Sequence, residues 1–192
     1  MKKTFYMMRH GQTLFNLRGK IQGACDSPLT ELGIKQAQKA SEYFKDINLT
    51  DLYCSTSERC SDTLEIIVGE DVPYIRLKGL KEMNFGTYEG ESEALNPPSE
   101  LKETYFKHFG GETRDDVKER LKETCLSIMR KDGHNCVLAV SHAGACLHFM
   151  RNWVSEDEAS NILKEGFSNC CILKYEFEND IFTLVDVIRP GV

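Results

Sequence analysis

The sequence predicts an α/β fold, a three-layer α/β/α domain around a largely parallel central sheet. Short apolar runs alternate with segments of helical periodicity, the pattern of strand–helix–strand units. One run, Cys-Val-Leu-Ala-Val at 136–140, is continuously apolar, as expected of a central strand covered on both faces. A length of 192 residues with 41% hydrophobic content suits one domain, 1–192, whose core needs no disulfide or metal staple.

In chain order, residues 4–8 read as a short buried strand that ends in a loop at Arg9-His10-Gly11. Asp26-Ser27-Pro28-Leu29-Thr30 is a turn, and Thr30 caps a helix to about Lys45 with Ile34, Ala37, Ala40 and Phe44 near helical spacing. Residues 51–54 form a brief strand, which passes through Ser55-Thr56-Ser57 into a helix carrying Leu64, Ile66, Ile67 and Val68. Arg59 falls near that helix's first turn. The stretch 91–111, with Pro97-Pro98 and little periodicity, reads as a lid or insertion over the site.

Thr113 caps the next helix with Asp116 reaching back, and Val117, Leu121, Cys125 and Ile128 make one apolar stripe that stops before Gly133. The strand at 136–140 delivers His142, and apolar residues from Ala143 to Val154 continue as a buried helix. At the tail, 171–175 and 181–185 flank Glu178-Asn179-Asp180 as a hairpin closing the sheet.

The formal net charge is −6, without a long basic run, which points away from nucleic acid and anionic membranes and toward a small-molecule partner. Oligomeric state stays open. The N-terminal apolar run is too short for a signal-peptide core, and the eight cysteines contain no Cys-x-x-Cys pair, so a cytoplasmic protein with reduced thiols is expected.

Arg9-His10-Gly11 alone is a weak signal. It stands with Gln12-Thr13 and Asn16, then Gln22-Gly23, the Asp26 to Gly33 stretch, Ser57-x-Arg59-Cys60, Glu82 in Glu-Met-Asn-Phe-Gly-Thr-Tyr-Glu-Gly, and Ser141-His142-Ala143-Gly144. This ordered set resembles the histidine phosphatase superfamily, the phosphoglycerate mutase-like family, and its short phosphatase branch in particular.

The resemblance implies that His10 is a nucleophile that becomes phosphohistidine, that Arg9, Arg59 and His142 surround the phosphoryl group, and that Glu82 is the acid/base. No metal or cofactor is then required. The same residue types follow from the chemistry. A phosphomonoester dianion repels nucleophiles until fixed cations cover its oxygens, and arginine offers rigid forks of donors. Asn16 and Gln22 are turn residues or amide donors to phosphate, Gly23 stands beside them as a substrate-binding candidate, and the backbone N–H of Ala143 opens a helix where an anion can sit.

Spacing argues against other phosphatase chemistries. Cys54 lies one residue too close to Arg59 for a thiol phosphatase, and Cys136 meets His142 where arginine belongs. No Asp-x-Asp or His-x-His pair is present, and Leu14 stands where a P-loop ending in Gly19-Lys20 needs glycine. Glu89 competes with Glu82 for the acid, or else supports the turn at Gly90. His108 and His134 are expected to face solvent and His148 to lie on a buried helix, none with a catalytic role. Met83-Asn84-Phe85-Gly86 replaces the Arg-His-Tyr-Gly of cofactor-dependent mutases, which favours hydrolysis over mutase chemistry; an inactive phospho-ligand binding module is the remaining alternative. Specificity is expected from 91–111, with Tyr105 and Phe106 on an organic group and Lys102 or Lys107 on a second phosphate.

Overall fold

The computed structural model describes residues 2–98, 101 and 103–191, and Lys102 therefore lies outside the described residues. Six strands form one sheet: β1 (Lys3–Arg9), β2 (Asp51–Ser55), β3 (Ile75–Leu77), β4 (Cys136–Ser141), β5 (Ile172–Glu178) and β6 (Ile181–Ile188). Their order is β3-β2-β4-β1-β5-β6. β1, β2, β3 and β4 run parallel, β5 pairs antiparallel with β1, and β6 returns antiparallel to β5. Only β5 opposes the rest.

Side-chain alternation makes the three layers. Phe5, Met7, Val137, Ala139, Leu173 and Tyr175 pack on one face with α4 (Arg114–Met129), α5 (Ala143–Met150) and α6 (Glu156–Lys164). Tyr6, Met8, Leu138, Val140 and Ile172 pack on the other with α2 (Glu31–Phe44) and α3 (Glu58–Val68). Residues 137–140 of β4 are buried on both faces, as their unbroken apolar run predicts.

Local signals explain most boundaries. Thr30 Oγ1 accepts from Gly33 N at the start of α2, and Thr113 with Asp116 forms a reciprocal capping box at the start of α4. Asn179 and Asp180 both have positive φ, 52° and 62°, the geometry of a two-residue hairpin turn matched to strand twist.

The helix expected over 143–154 ends at Met150, and α6 follows with Ser155 as its cap. The short helix α1 (Leu14–Leu17) and strand β3 were not foreseen, and Ile34, placed on the apolar stripe of α2, is 39% exposed. His134 does not rely on solvent: its Nε2 lies 2.9 Å from Asp51 Oδ1. His148 is buried, as expected.

Within the 91–111 segment, 3-10 turns form at Glu93–Leu95 and Tyr105–Phe109. It is zipped to the loop after α1, where Ile21 N donates to Glu91 O and Glu93 N to Gly19 O, each at 2.8 Å.

Candidate active site

The carboxyl ends of β1, β4 and β2 meet at one edge of the sheet, where parallel α/β folds place ligands. β1 delivers Arg9 and His10, β4 delivers His142, and β2 leads through Ser55–Ser57 to Arg59 in the first turn of α3. Gly11 is required there: a Cβ would sit 2.5 Å from Gly33 O of α2, and Gly11 N donates to Thr63 Oγ1.

The His10 ring is 4% exposed, and its Nδ1 lies 2.7 Å from Gly11 O. A carbonyl only accepts, so Nδ1 carries the proton and Nε2 keeps its lone pair. Arg59 Nε donates to that Nε2 at 3.2 Å. Burial, followed by the charges of Arg59 and Arg9, holds the His10 pKa well below its ordinary value.

Arg59 is fully buried, a costly place for a cation unless every fork position is met. Its Nη1 pairs with Asp26 Oδ1 at 2.8 Å and Cys25 O at 2.9 Å, and its Nη2 donates to Gly23 O at 3.0 Å. Nη2 also reaches His142 Nδ1 at 2.8 Å. That assigns the His142 proton to Nε2, which donates to Ser55 Oγ at 2.8 Å. Burial first, then Arg59, keeps His142 neutral, well below the usual histidine range.

Glu82 is buried beside the start of α5. Its Oε1 accepts from Met83 N and its Oε2 from Gly144 N, each at 2.8 Å. A Cβ at Gly144 would lie 2.6 Å from Oε1, so glycine makes this approach possible. Burial raises the Glu82 pKa, although the hydrogen bonds from Met83 and Gly144 oppose it.

A cavity of about 160 Å³ opens over this group. Arg9, His10, Glu82, Asn16, Gln22 and Ala143 line it, so six of the nine site residues expected from sequence converge on it. Arg59 and His142 lie behind His10 rather than on the cavity wall. Gly23 is also off the wall: its N–H is taken by Glu89 Oε2 at 3.0 Å, so it does not offer a donor to ligand. Arg9 Nη1 donates to Phe167 O at 2.8 Å, while its buried Nε has no partner.

Glu89 is the support rather than the acid. It accepts from the backbone N–H groups of Gly23, Ala24, Cys25 and Phe85 at 2.8–3.0 Å. Burial alone would raise its pKa, but the bonds from Cys25, Phe85 and Ala24 leave it lowered. Asp26, read from sequence only as part of a turn, pairs with Arg59 and also accepts from Glu58 N, capping α3 where Ser57 does not.

Tyr105, Phe106 and Lys107, expected to contact substrate, do not line the cavity. Phe106 is buried in the core, Tyr105 stacks with Tyr88 and Phe109, and Lys107 pairs with Asp116 at 2.9 Å. Lys20, Phe85, Glu93 and Asn96 line the cavity instead. Phe85 stands in the Glu82 to Gly90 motif and Glu93 and Asn96 in the 91–111 segment, but sequence alone singles out none of the four as a substrate contact.

A buried imidazole with an unprotonated Nε2, ringed by arginines and a carboxyl at strand ends, defines a phosphoryl-transfer class of α/β protein. The family model of the histidine phosphatase superfamily (branch 1) matches residues 5–189, and the chain belongs to that superfamily. It is thus of phosphatase or mutase type, acting on small phosphorylated metabolites.

The uncharacterized phosphatase PhoE of Bacillus subtilis is 28% identical over 184 residues, covering 94% of this chain and 91% of that protein. The 6-phosphofructo-2-kinase/fructose-2,6-bisphosphatase 3 of Bos taurus is 31% identical over 153 residues, covering 76% of this chain, which spans only 32% of that longer relative. Among solved structures, phosphoglycerate mutase from Bacillus anthracis superposes with TM-score 0.83 at 25% identity, covering 96% of this chain and 92% of that one. Phosphoserine phosphatase from Entamoeba histolytica, solved with 3-phosphoglyceric acid, gives 0.75 at 25% identity, covering 96% and 95%.

Proposed function

We propose that this chain is a phosphomonoester hydrolase that works through a phosphohistidine on His10, within one domain over 1–192 and without a metal ion. The observation that carries it is the His10 ring itself, with Nδ1 fixed on Gly11 O and the Nε2 lone pair kept unprotonated beside two arginines.

The substrate phosphoryl group sits against Arg9 and the N-terminus of α5 at Ala143, where the unpartnered Arg9 Nε meets one of its oxygens. Arg59 Nε turns from His10 to the transferred group, and His142 holds the rest of the fork. His10 Nε2 attacks phosphorus, the P–N bond forms, and the bond to the leaving oxygen breaks. Glu82, its pKa raised by burial and further by the adjacent dianion, gives that oxygen its proton. Water then attacks phosphorus, Glu82 takes the proton, and phosphate leaves as His10 is restored.

Asn16 and Gln22 complete the wall as amide donors, while Gly23 acts through its backbone by holding Arg59 and Glu89. A reducing, cytoplasmic setting is supported by eight cysteines that are all unpaired. Phosphate release from small esters, measured in excess EDTA with the wild type and His10→Ala, tests the reading: release should persist in EDTA and vanish in the variant. Activity that needs a metal, or that survives His10→Ala, contradicts it. Mutase action, suggested by the likeness to the Bacillus anthracis protein, predicts instead that 3- and 2-phosphoglycerate interconvert faster than phosphate appears.

A further inference from the structure

Within the hydrolase reading, which this inference rests on, we propose that Asn169 is a positioning residue of the phosphoryl site. It holds the Asn16 side-chain amide with its donor face turned to the substrate phosphoryl oxygens. Asn169 lies in the loop between α6 and β5, 153 residues from Asn16, and is not part of the cavity wall. None of the site motifs contains it.

The hydrogen bonds leave one orientation for both amides. His10 O can only accept, so the Asn169 atom 3.1 Å from it is Nδ2. The same Nδ2 lies 3.3 Å from Asn16, which meets it with Oδ1. Thr13 N, which can only donate, reaches that Oδ1 at 3.2 Å. Both lone pairs of Oδ1 are then taken. Asn16 Nδ2, without a partner among the described residues, is what the side chain has left to offer the cavity it lines. A phosphoryl dianion only accepts, so this orientation binds it, whereas the flipped amide would set an oxygen against it.

The loop is shaped around this task. Cys171 N donates to Ser168 O at 3.2 Å, closing a turn in which Cys170 takes a φ of 60°, a left-handed value rare outside glycine. Cys170 is buried, and its N–H reaches His10 O at 3.4 Å. Arg9 N donates to Cys171 O at 3.0 Å and Arg9 Nη1 to Phe167 O at 2.8 Å. Residues 167–171 thus hold Arg9, His10 and Asn16 together. A strained residue persists only where its surroundings fix it, and here they fix the neighbour of Asn169. Because Cys170 N already meets the His10 carbonyl, the arm from Asn169 to Asn16 is the contact that only Asn169 supplies.

The test is a double-mutant cycle on kcat/KM for p-nitrophenyl phosphate, using wild type, Asn16→Ala, Asn169→Ala and the double variant, beside Asn169→Asp and urea unfolding of each. Asn169→Ala should lower kcat/KM by about tenfold, the scale of one charge-assisted contact, yet change it by less than about twofold in the Asn16→Ala background. Cys170 N remains on His10 O in both backgrounds, so the cycle reads the Asn16 arm. Asn169→Asp keeps the shape but offers only acceptors. It should draw Asn16 Nδ2 toward itself, turn Oδ1 to the dianion, and cost more activity than Asn169→Ala while the fold is kept. Full activity in Asn169→Ala, losses that multiply in the double variant, an Asn169→Asp milder than Asn169→Ala, or losses that merely follow stability in urea each overturn this inference and leave hydrolysis standing. Wild type releasing phosphate from none of a wide range of esters overturns both.

Discussion

At the residue scale, the site separates two titrations that would otherwise overlap. The nucleophile needs a pKa below the working pH and the acid needs one above its ordinary value, and burial moves His10 down and Glu82 up. One low-dielectric pocket thus sets both protonation states, because each group avoids charge there. Glu82→Gln keeps the shape but cannot give or take the proton, so kcat should fall by about 10²–10⁴-fold for esters with poor leaving groups. Esters with acidic leaving groups should be hurt less in the first step, and a comparison of p-nitrophenyl phosphate with an alkyl phosphate reads the difference. Equal losses on both would place Glu82 outside proton transfer to the leaving group.

At the element scale, the site depends on how the loop at 22–27 is pinned to α3. Asp26 joins the Arg59 guanidinium to the first turn of that helix, and Glu89 gathers the N–H groups of 23–25. Asp26→Ala removes a cap and strands a buried cation together, so unfolding in urea should show a loss of about 1–3 kcal/mol, with kcat/KM reduced as Arg59 loses its position. A stable, fully active variant would contradict this linkage.

These ties also mark the limit of what the sequence conveys. His10, Arg59, Glu82 and His142 stand in short motifs, and Thr30 and Thr113 lie next to the helices they cap, so local pattern finds them. Glu89 and Gly23 are 66 residues apart, and nothing near either residue signals the other. The end of α5 was hidden because Trp153 and Val154 prolong the apolar run beyond Met150, although Ser155 with Glu158 three residues on was a legible start for α6. β3 is three residues long with Ile75 half exposed, too short and too wet to show a strand period.

At the scale of the whole molecule, parallel strands bring chain segments that are distant in sequence to one edge, above a core packed on both faces of the sheet. Catalytic burial has a cost in stability. His10, His142 and His148 are all neutral inside, with pKa values lowered, in His148 to about 4, first by burial. The unfolded chain takes up protons as pH falls through about 6.5 while the folded chain does not, so stability is fully present above that pH and declines below it. Each such histidine contributes a slope of about 1.4 kcal/mol per pH unit until its folded pKa is reached. Urea titrations at pH 7.5 and 5.5 should show this, and His148→Gln, off the cavity wall, should flatten the slope. A stability that is flat across this range would contradict neutral burial.

The central claim is that His10 carries the phosphoryl group. Enzyme mixed rapidly with a ³²P-labelled monoester, quenched in alkali and digested should give one labelled peptide containing His10, its label lost in acid, and His10→Ala should give none. Label on another residue, or full turnover with no labelled histidine at any time after mixing, would contradict the account.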